Sequence, residues 1–419
     1  MSETSATRAT LDAAWRLESP KLIALLTHLV RDVNLALDLA QDAFVAALAQ
    51  WPATGIPDNP GAWLTATAKH RAIDLVRREK RLVEKTEQIS RDMVHVGEAG
   101  GVDPDRGESE EALAEDSMRV IFMACHPRLS SEARVALALR LLCGLTTEEI
   151  ARAFLVPEAT ILQRIVRAKR TLAELGATFE ELSRQELRER LPPVLQVVYL
   201  IFNEGYSATA GEDWMRPALC EDALRLGRVL AELQPREAEV HGLVALMEIQ
   251  ASRANARVDA RGRPILLLDQ NRARWDQLLI RRGLRGLERA LEAGGERGFY
   301  TLQACIAACH ARARTGDETD WRRIVGFYDE LVSVVDSPIV ELNRAVAVAM
   351  ADGPQAGLDL VDEIAASPAL AKYHLLPSVR GDLLLRLGRK DEARLEFERA
   401  AGMTSNEREA ELLRERARQ

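Results

Sequence analysis

Thr160, Gln163, Arg164, Arg167 and Arg170 recur at intervals of three and four residues, with Lys169 beside them. On a helix, such spacing lines side chains along one polar stripe. Carboxamide, hydroxyl and guanidinium groups in a row can bond base edges, and the basic ones can neutralise phosphates. Between 161 and 170 there are four basic residues and no acid. The alternating stripe Ile161, Ile165, Ala168 and Leu172 has the period of a core face. A shorter helix precedes it. Thr146 can cap that helix and Glu149 completes a capping box. Ile150, Ala151 and Phe154 form its apolar side, and Pro157 and Glu158 suit the first turn of the second helix. A short helix buttressing a longer one with a polar face is a helix-turn-helix pattern, whose second helix enters the major groove. The competing reading is a helical hairpin with a solvated charged face, since the turn between the two lacks the usual glycine.

A second constellation lies upstream, at Trp63, Lys69, His70, Arg71, Asp74, Arg77 and Arg78. Asn59 and Pro60 open a helix there, and Leu64, Ala68, Ala72 and Leu75 give it a buried stripe. Residues 69–81 hold six basic residues and two acids. A tryptophan at the head of a basic helix offers a stacking surface for an unpaired base, with cations to track the backbone. A core tryptophan on a solvated helix is the alternative.

The elements that must position these residues are helical. Aromatics make up only 5% of the 419 residues, and Ala, Leu, Arg and Glu dominate, which predicts an all-α chain. At about 150 residues per domain, two to four domains are expected. The net charge of −8 excludes a chain that wraps nucleic acid over its whole surface, but local basic patches survive because charges are screened beyond about 10 Å. No basic-then-apolar leader and no run of about 18 apolar residues is present, so the expectation is a cytoplasmic protein without a membrane segment. Cys125, Cys143, Cys220, Cys305 and Cys309 read as reduced thiols. Cys305 and Cys309, with His310 next, lack a fourth ligand and read as small core side chains rather than a metal site. No cofactor motif and no catalytic motif is found: there is no Gly-rich phosphate loop, no H-E-x-x-H and no G-x-S-x-G. Asn203, Glu204 and Tyr206 offer polar groups for a pocket, though capping and core roles suit them better.

In chain order, residues 1 to about 18 read as polar and partly frayed. Helical runs follow from Ser19 and from Leu35, ending at Trp51-Pro52, with a loop over 52–59. Between Gly97 and Asp116 stand eight acids and one arginine, the composition of a flexible acidic linker. The boundaries expected are a first helical domain over 15–81, the linker over 82–116, and a helix-turn-helix domain over 117–176. A helical extension over 187–290 and helical repeats over 291–419 follow. Breaks such as Gly294-Gly295, Ser337-Pro338 and Gly353-Pro354 separate helices of similar length, as in an α-solenoid. GDLLLRLGRKDEARLEFERAA looks like part of a tetratricopeptide repeat. The exception is Ala254 to Gln270, a long loop of the kind that often carries function.

Three motifs, in this order, resemble a bacterial RNA polymerase sigma factor of the extracytoplasmic-function type. DLAQDAF (Asp38 to Phe44) is similar to the segment that grips the clamp helices of the polymerase largest subunit. NPGAWLTATAKHRAIDLVRR (Asn59 to Arg78) resembles the helix that opens and reads the −10 element. GLTTEEIARAFLVPEATILQRIVRAK (Gly144 to Lys169) resembles the −35 reader, with Leu162 where Lys is common, Gln163 where Ser is common, and His70 where Asn is frequent. Beyond about residue 175 the chain is similar to the subgroup with a tetratricopeptide-like C-terminal extension, carried by LPPVLQVVYLIFNEGY and PILLLDQNRARWDQ.

The resemblance implies two small sigma domains, an acidic linker and a solenoid-like extension. It implies a promoter-specific initiation factor that is not an enzyme. Its partners would be core RNA polymerase, through the clamp helices and the flap, and promoter DNA. Polymerase contacts would come from Asp38, Leu39, Gln41, Asp42 and Phe44. The −10 contacts would come from Trp63, Lys69, His70, Arg71, Asp74, Arg77 and Arg78. Gln163, Arg164 and Arg167 would read −35 bases, with Thr160 on the same stripe and Lys169 and Arg170 on phosphates. The C-terminal domain would regulate, by contacting the rest of the chain or a protein partner. Two rivals differ in kind. A helix-turn-helix regulator with a solenoid sensor would bind duplex DNA alone, and a peptide-binding scaffold would leave Asp38–Phe44 and the Trp63 helix unexplained.

Overall fold

The computed structural model describes Trp15 and residues 18–19, 21–27, 29–30, 32–90, 120–154, 156–174, 184–208, 210–211, 213–260 and 262–419. Most of the linker expected over 82–116 lies outside these. Two compact units divide between Val197 and Val198.

In the first unit a hairpin pairs α1 (Val33–Thr54) with α2 (Pro60–Ser90). Ala36, Ala40, Ala43 and Ala47 of α1 are fully buried, as are Leu64, Ala68 and Ala72 of α2; small side chains bring the two axes close. The first helix passes through Pro52 to Thr54 and stops where Gly55 takes φ 86 and its N–H bonds Trp51 O at 3.0 Å. The break therefore narrows to 55–59. A positive φ ends a helix cheaply only at glycine. Asn59 Oδ1 accepts from Ala62 N at 3.0 Å, and Pro60 is the first helical residue. The second helix continues to Ser90.

Three further helices of this unit are α3 (Ser131–Leu142), α4 (Thr147–Phe154) and α5 (Glu158–Glu174). The first of these is buried along most of its length, from Ala133 to Leu142. It is the post against which the other two pack.

The helix α6 (Arg184–Tyr206) carries the apolar run with Pro192 and Pro193 inside it. The second unit is a succession of antiparallel hairpins. In order come α7 (Pro217–Leu233), α8 (Ala238–Ala251), α9 (Gln277–Glu292), α10 (Phe299–Arg312) and α11 (Trp321–Val334). Then follow α12 (Pro338–Asp352), α13 (Pro354–Ile364), α14 (Leu375–Arg386), α15 (Lys390–Met403) and α16 (Glu407–Arg416). The repeat-like hairpin α14–α15 is tight because Gly381 leaves room for the Phe397 ring. The buried carboxylate of Glu248 binds Arg228 at 2.9 Å and Arg282 at 3.3 Å, tying α7, α8 and α9 together. Glu239 accepts from Tyr300 N, Thr301 N and Thr301 Oγ1 at 2.8–3.0 Å. That is a cap for α10 supplied from another helix.

The long segment 254–276 is pinned rather than loose. Arg257 donates to Tyr206 O. Arg272 donates to His310 O (2.6 Å), Ala313 O (2.8 Å) and Thr319 Oγ1 (3.0 Å), closing the C-terminal end of α10. Glu204, a pocket candidate, is instead buried against Arg216. Cys305 and Cys309 are buried, and burial pushes the Cys305 thiol up to about 11.

The two ends of this unit meet. β1 (Ala210–Gly211) pairs in parallel with β2 (Ser405–Asn406). Asn406 is 1% exposed; its Nδ2 donates to Ala208 O (3.0 Å) and Asp213 O (2.9 Å), while its Oδ1 caps α16 by accepting from Glu409 N at 3.2 Å. Replacing Asn406 by Ala strands the buried Ala208 carbonyl, frees the partly buried Asp213 carbonyl and removes a cap. Chemical denaturation of Asn406→Ala is expected to show a loss of about 2–4 kcal/mol; a change below about 0.5 kcal/mol would mean the clip is solvated already.

His310 lies buried, and burial with Arg253 and Arg272 nearby pushes it down to about 4 from the ordinary 6.5. The unfolded chain then takes up the proton first as pH falls. Stability from this group is complete above pH 6.5 and is lost towards pH 4, with a slope approaching about 1.4 kcal/mol per pH unit. Denaturation midpoints of His310→Gln against pH should lose this part of the acid limb; an unchanged slope would assign it elsewhere.

Candidate functional site

The helix-turn-helix is built locally. Thr146 N donates to Glu149 Oε2 at 2.8 Å and Glu149 N donates to Thr146 Oγ1 at 3.1 Å, the reciprocal bonds of a capping box. Thr147 Oγ1 donates to Glu158 Oε1 at 2.7 Å, joining the heads of α4 and α5. Gly144, with φ 69, makes the turn out of α3, and Arg140 Nη1 holds Leu145 O at 2.9 Å. Burial pulls the Arg140 guanidinium below its usual range while Glu149 opposes the shift. Ile150 and Ala151 of α4 and Ile161, Ile165, Ala168 and Leu172 of α5 are buried. This fixes which side of α5 faces out.

On that outer side stand Gln163, Arg167 and Arg170, all exposed. Arg170 pairs with Glu174 at 2.7 Å. Thr160 and Arg164 are half-buried on one flank, and the Arg164 charge acts on the Glu132 carboxyl of α3. Lys169 is half-buried on the other flank. Burial lowers its pKa, and Asp38 and Asp32 oppose that. The same outer side also shows two apolar residues, Leu162 and Val166.

In the hairpin of α1 and α2, Asp38 and Asp42 are exposed, Gln41 and Phe44 are half-buried, and Leu39 is in the core. Arg71 lies 3.6 Å from Asp42. Trp63 is half-buried and packs edge-on against the buried Trp51, centroids 5.5 Å apart. His70, Asp74, Arg77 and Arg78 are exposed along α2, with Lys69 and Arg71 half-buried. The aromatic at the helix head is thus a braced wedge with one open side, and the basic residues beyond it reach solvent. The Cys125 thiol is pushed up to about 12 by burial, and no group of three potential metal ligands occurs among the described residues.

One residue of this unit was barely marked in the sequence. Trp15 is 9% exposed, packs at a tilt of 56° against Phe44 with ring centroids 4.9 Å apart, and donates from Nε1 to Gly144 O at 3.1 Å. It joins α1 to the turn before α4. Its only sequence sign was a lone aromatic in a polar stretch.

Comparison with known families matches residues 15–82 to sigma-70 region 2, residues 119–172 to sigma-70 region 4, and residues 190–291 to a family of unknown function, DUF6596. An uncharacterised protein of Rhizobium meliloti, R00370, is 39% identical over 412 residues, covering 96% of this chain and 94% of that protein. A probable ECF RNA polymerase sigma factor of Mycobacterium tuberculosis, SigI, is 28% identical over 166 residues, 39% of this chain and 54% of that protein. No helix among the described residues is long and apolar enough to cross a membrane.

Proposed function

The chain belongs to the sigma-70 family, extracytoplasmic-function type, with a C-terminal extension, and we propose that it binds core RNA polymerase and directs initiation at its own promoter class. The observation that carries this reading is the division of labour within each motif. In α1, α2 and α5 the apolar residues are consumed by the cores, while Asp38, Asp42, Arg77, Arg78, Gln163 and Arg167 remain exposed. A fold needs the first set; the second faces solvent and suits partners.

In this reading Asp38 and Asp42 meet the polymerase clamp. The braced Trp63 stacks against a base as the duplex opens at −10, where extruding a base costs a few kcal/mol. Arg77 and Arg78 hold the displaced backbone. Helix α5 takes the −35 major groove, with Arg167 and Arg170 near phosphates and Gln163 at base edges. The second unit regulates these steps from within the same chain. The net charge of −8 opposes binding to DNA by the chain alone, because affinity for DNA is dominated by phosphate neutralisation.

Reconstitution tests this. Full-length chain with core polymerase on a randomised promoter library should yield specific transcripts, and the chain alone should give no discrete gel shift. Asp42→Arg should abolish co-migration with core polymerase; unchanged co-migration would remove α1 from that interface. A tight shift by the chain alone on paired half-sites would instead identify a helix-turn-helix regulator.

A further inference from the structure

The outer side of α5 is not uniformly polar. Leu162 is 53% exposed and Val166 is 55% exposed, one helical turn apart and flanking Gln163. Ala159, also exposed, extends the apolar strip towards the helix start. The arginines Arg167 and Arg170 follow only in the second half. An isoleucine or leucine on the inner stripe is accounted for by the core, but Leu162 and Val166 lie outside the buried stripe of α5. Leaving the open halves of two branched side chains in water forgoes the stabilisation that full burial would bring.

We infer that Leu162 and Val166 are specificity residues that read thymine methyl groups in the −35 duplex, with Gln163 between them reading adenine. The inference rests on the sigma-factor reading of α5. In the major groove the thymine C5-methyl is the apolar feature of a base edge, and a carboxamide pairs bidentately with adenine N6 and N7. The geometry fits a short tract. Four residues of helix rise about 6 Å, close to two base-pair steps of about 3.4 Å. The N-terminal half of α5 therefore specifies two or three consecutive A·T pairs, and the arginine half sits on backbone beyond them. A recognition helix with lysine and serine at 162 and 163 would not make this distinction.

Thymine replaced by deoxyuridine loses only the methyl group, so the test is chemical. Holoenzyme reconstituted from core polymerase and the full chain first selects its −35 sequence from a randomised library, which should contain the A·T tract. Each thymine in it is then replaced by deoxyuridine, and transcript yield is measured at limiting holoenzyme. Wild type should lose about fourfold at a contacted position, the effect of withdrawing one buried methyl. Leu162→Ala and Val166→Ala should each be blind to deoxyuridine at one position while keeping the response at the other. Gln163→Ala should lose the preference for adenine. Both apolar residues are exposed, so these variants keep the core. Specific transcription that is indifferent to deoxyuridine everywhere overturns this inference and leaves the sigma reading standing. Failure to obtain any promoter-specific transcript overturns both.

Discussion

Four buried side chains, Ile161, Ile165, Ala168 and Leu172, hold α5 at one rotation about its own axis. Everything proposed for α5 depends on that angle. A helix free to turn by one residue, about 100°, would carry Gln163 off its outer side. The angle is defended at the other end by the capping box of Thr146 and Glu149 and the Thr147–Glu158 bond, which fix how α4 enters α5. Recognition here is therefore a by-product of core packing. The same holds in α2, where Leu64, Ala68 and Ala72 set which way His70, Asp74 and Arg78 point.

Local features were legible in the sequence and distant ones were not. The Thr146–Glu149 box and the Asn59–Pro60 start involve partners three residues apart, so the string displays both halves together. The breaks at Gly294, Ser337 and Gly353 were readable for the same reason. The extent of α1 beyond Pro52 was not, because a proline in a last turn forfeits little, and Gly55 supplied the stop. The last helix, Glu407–Arg416, was missed: its composition is nearly all charged and its inward face rests on Ala410 and Leu413 alone. Trp15 and Asn406 find their partners 129 and 198 residues away, separations at which no periodicity survives. Among the candidate site residues, the motif positions were legible. Their exposure was not, and it distinguishes the solvent-facing Gln163 from Arg164, which turns towards α3.

Buried carboxylates add to the apolar packing of the second unit. Glu248 with Arg228 and Arg282, Glu204 with Arg216, and Glu239 on the head of α10 are carboxylates that each serve more than one donor or a buried one. Removing one partner of such a pair leaves a charge in low dielectric, so these positions tolerate change poorly. The planar fork of arginine can bond a helix-end carbonyl and lie over a ring at once. Arg257 does both, with its guanidinium 3.6 Å from the Tyr206 ring centroid and a bond to the Tyr206 carbonyl.

The Asn406 clip has a consequence for how the chain is made. Ala208 leaves the ribosome 198 residues ahead of the asparagine that satisfies its carbonyl. At about 5–20 residues per second, that is a wait of roughly 10–40 s. The helix-turn-helix, whose defining bonds span 3 to 11 residues, can be complete long before. Each newly made chain thus passes through a period in which its DNA-reading module is finished and its C-terminal unit is still open at the seam.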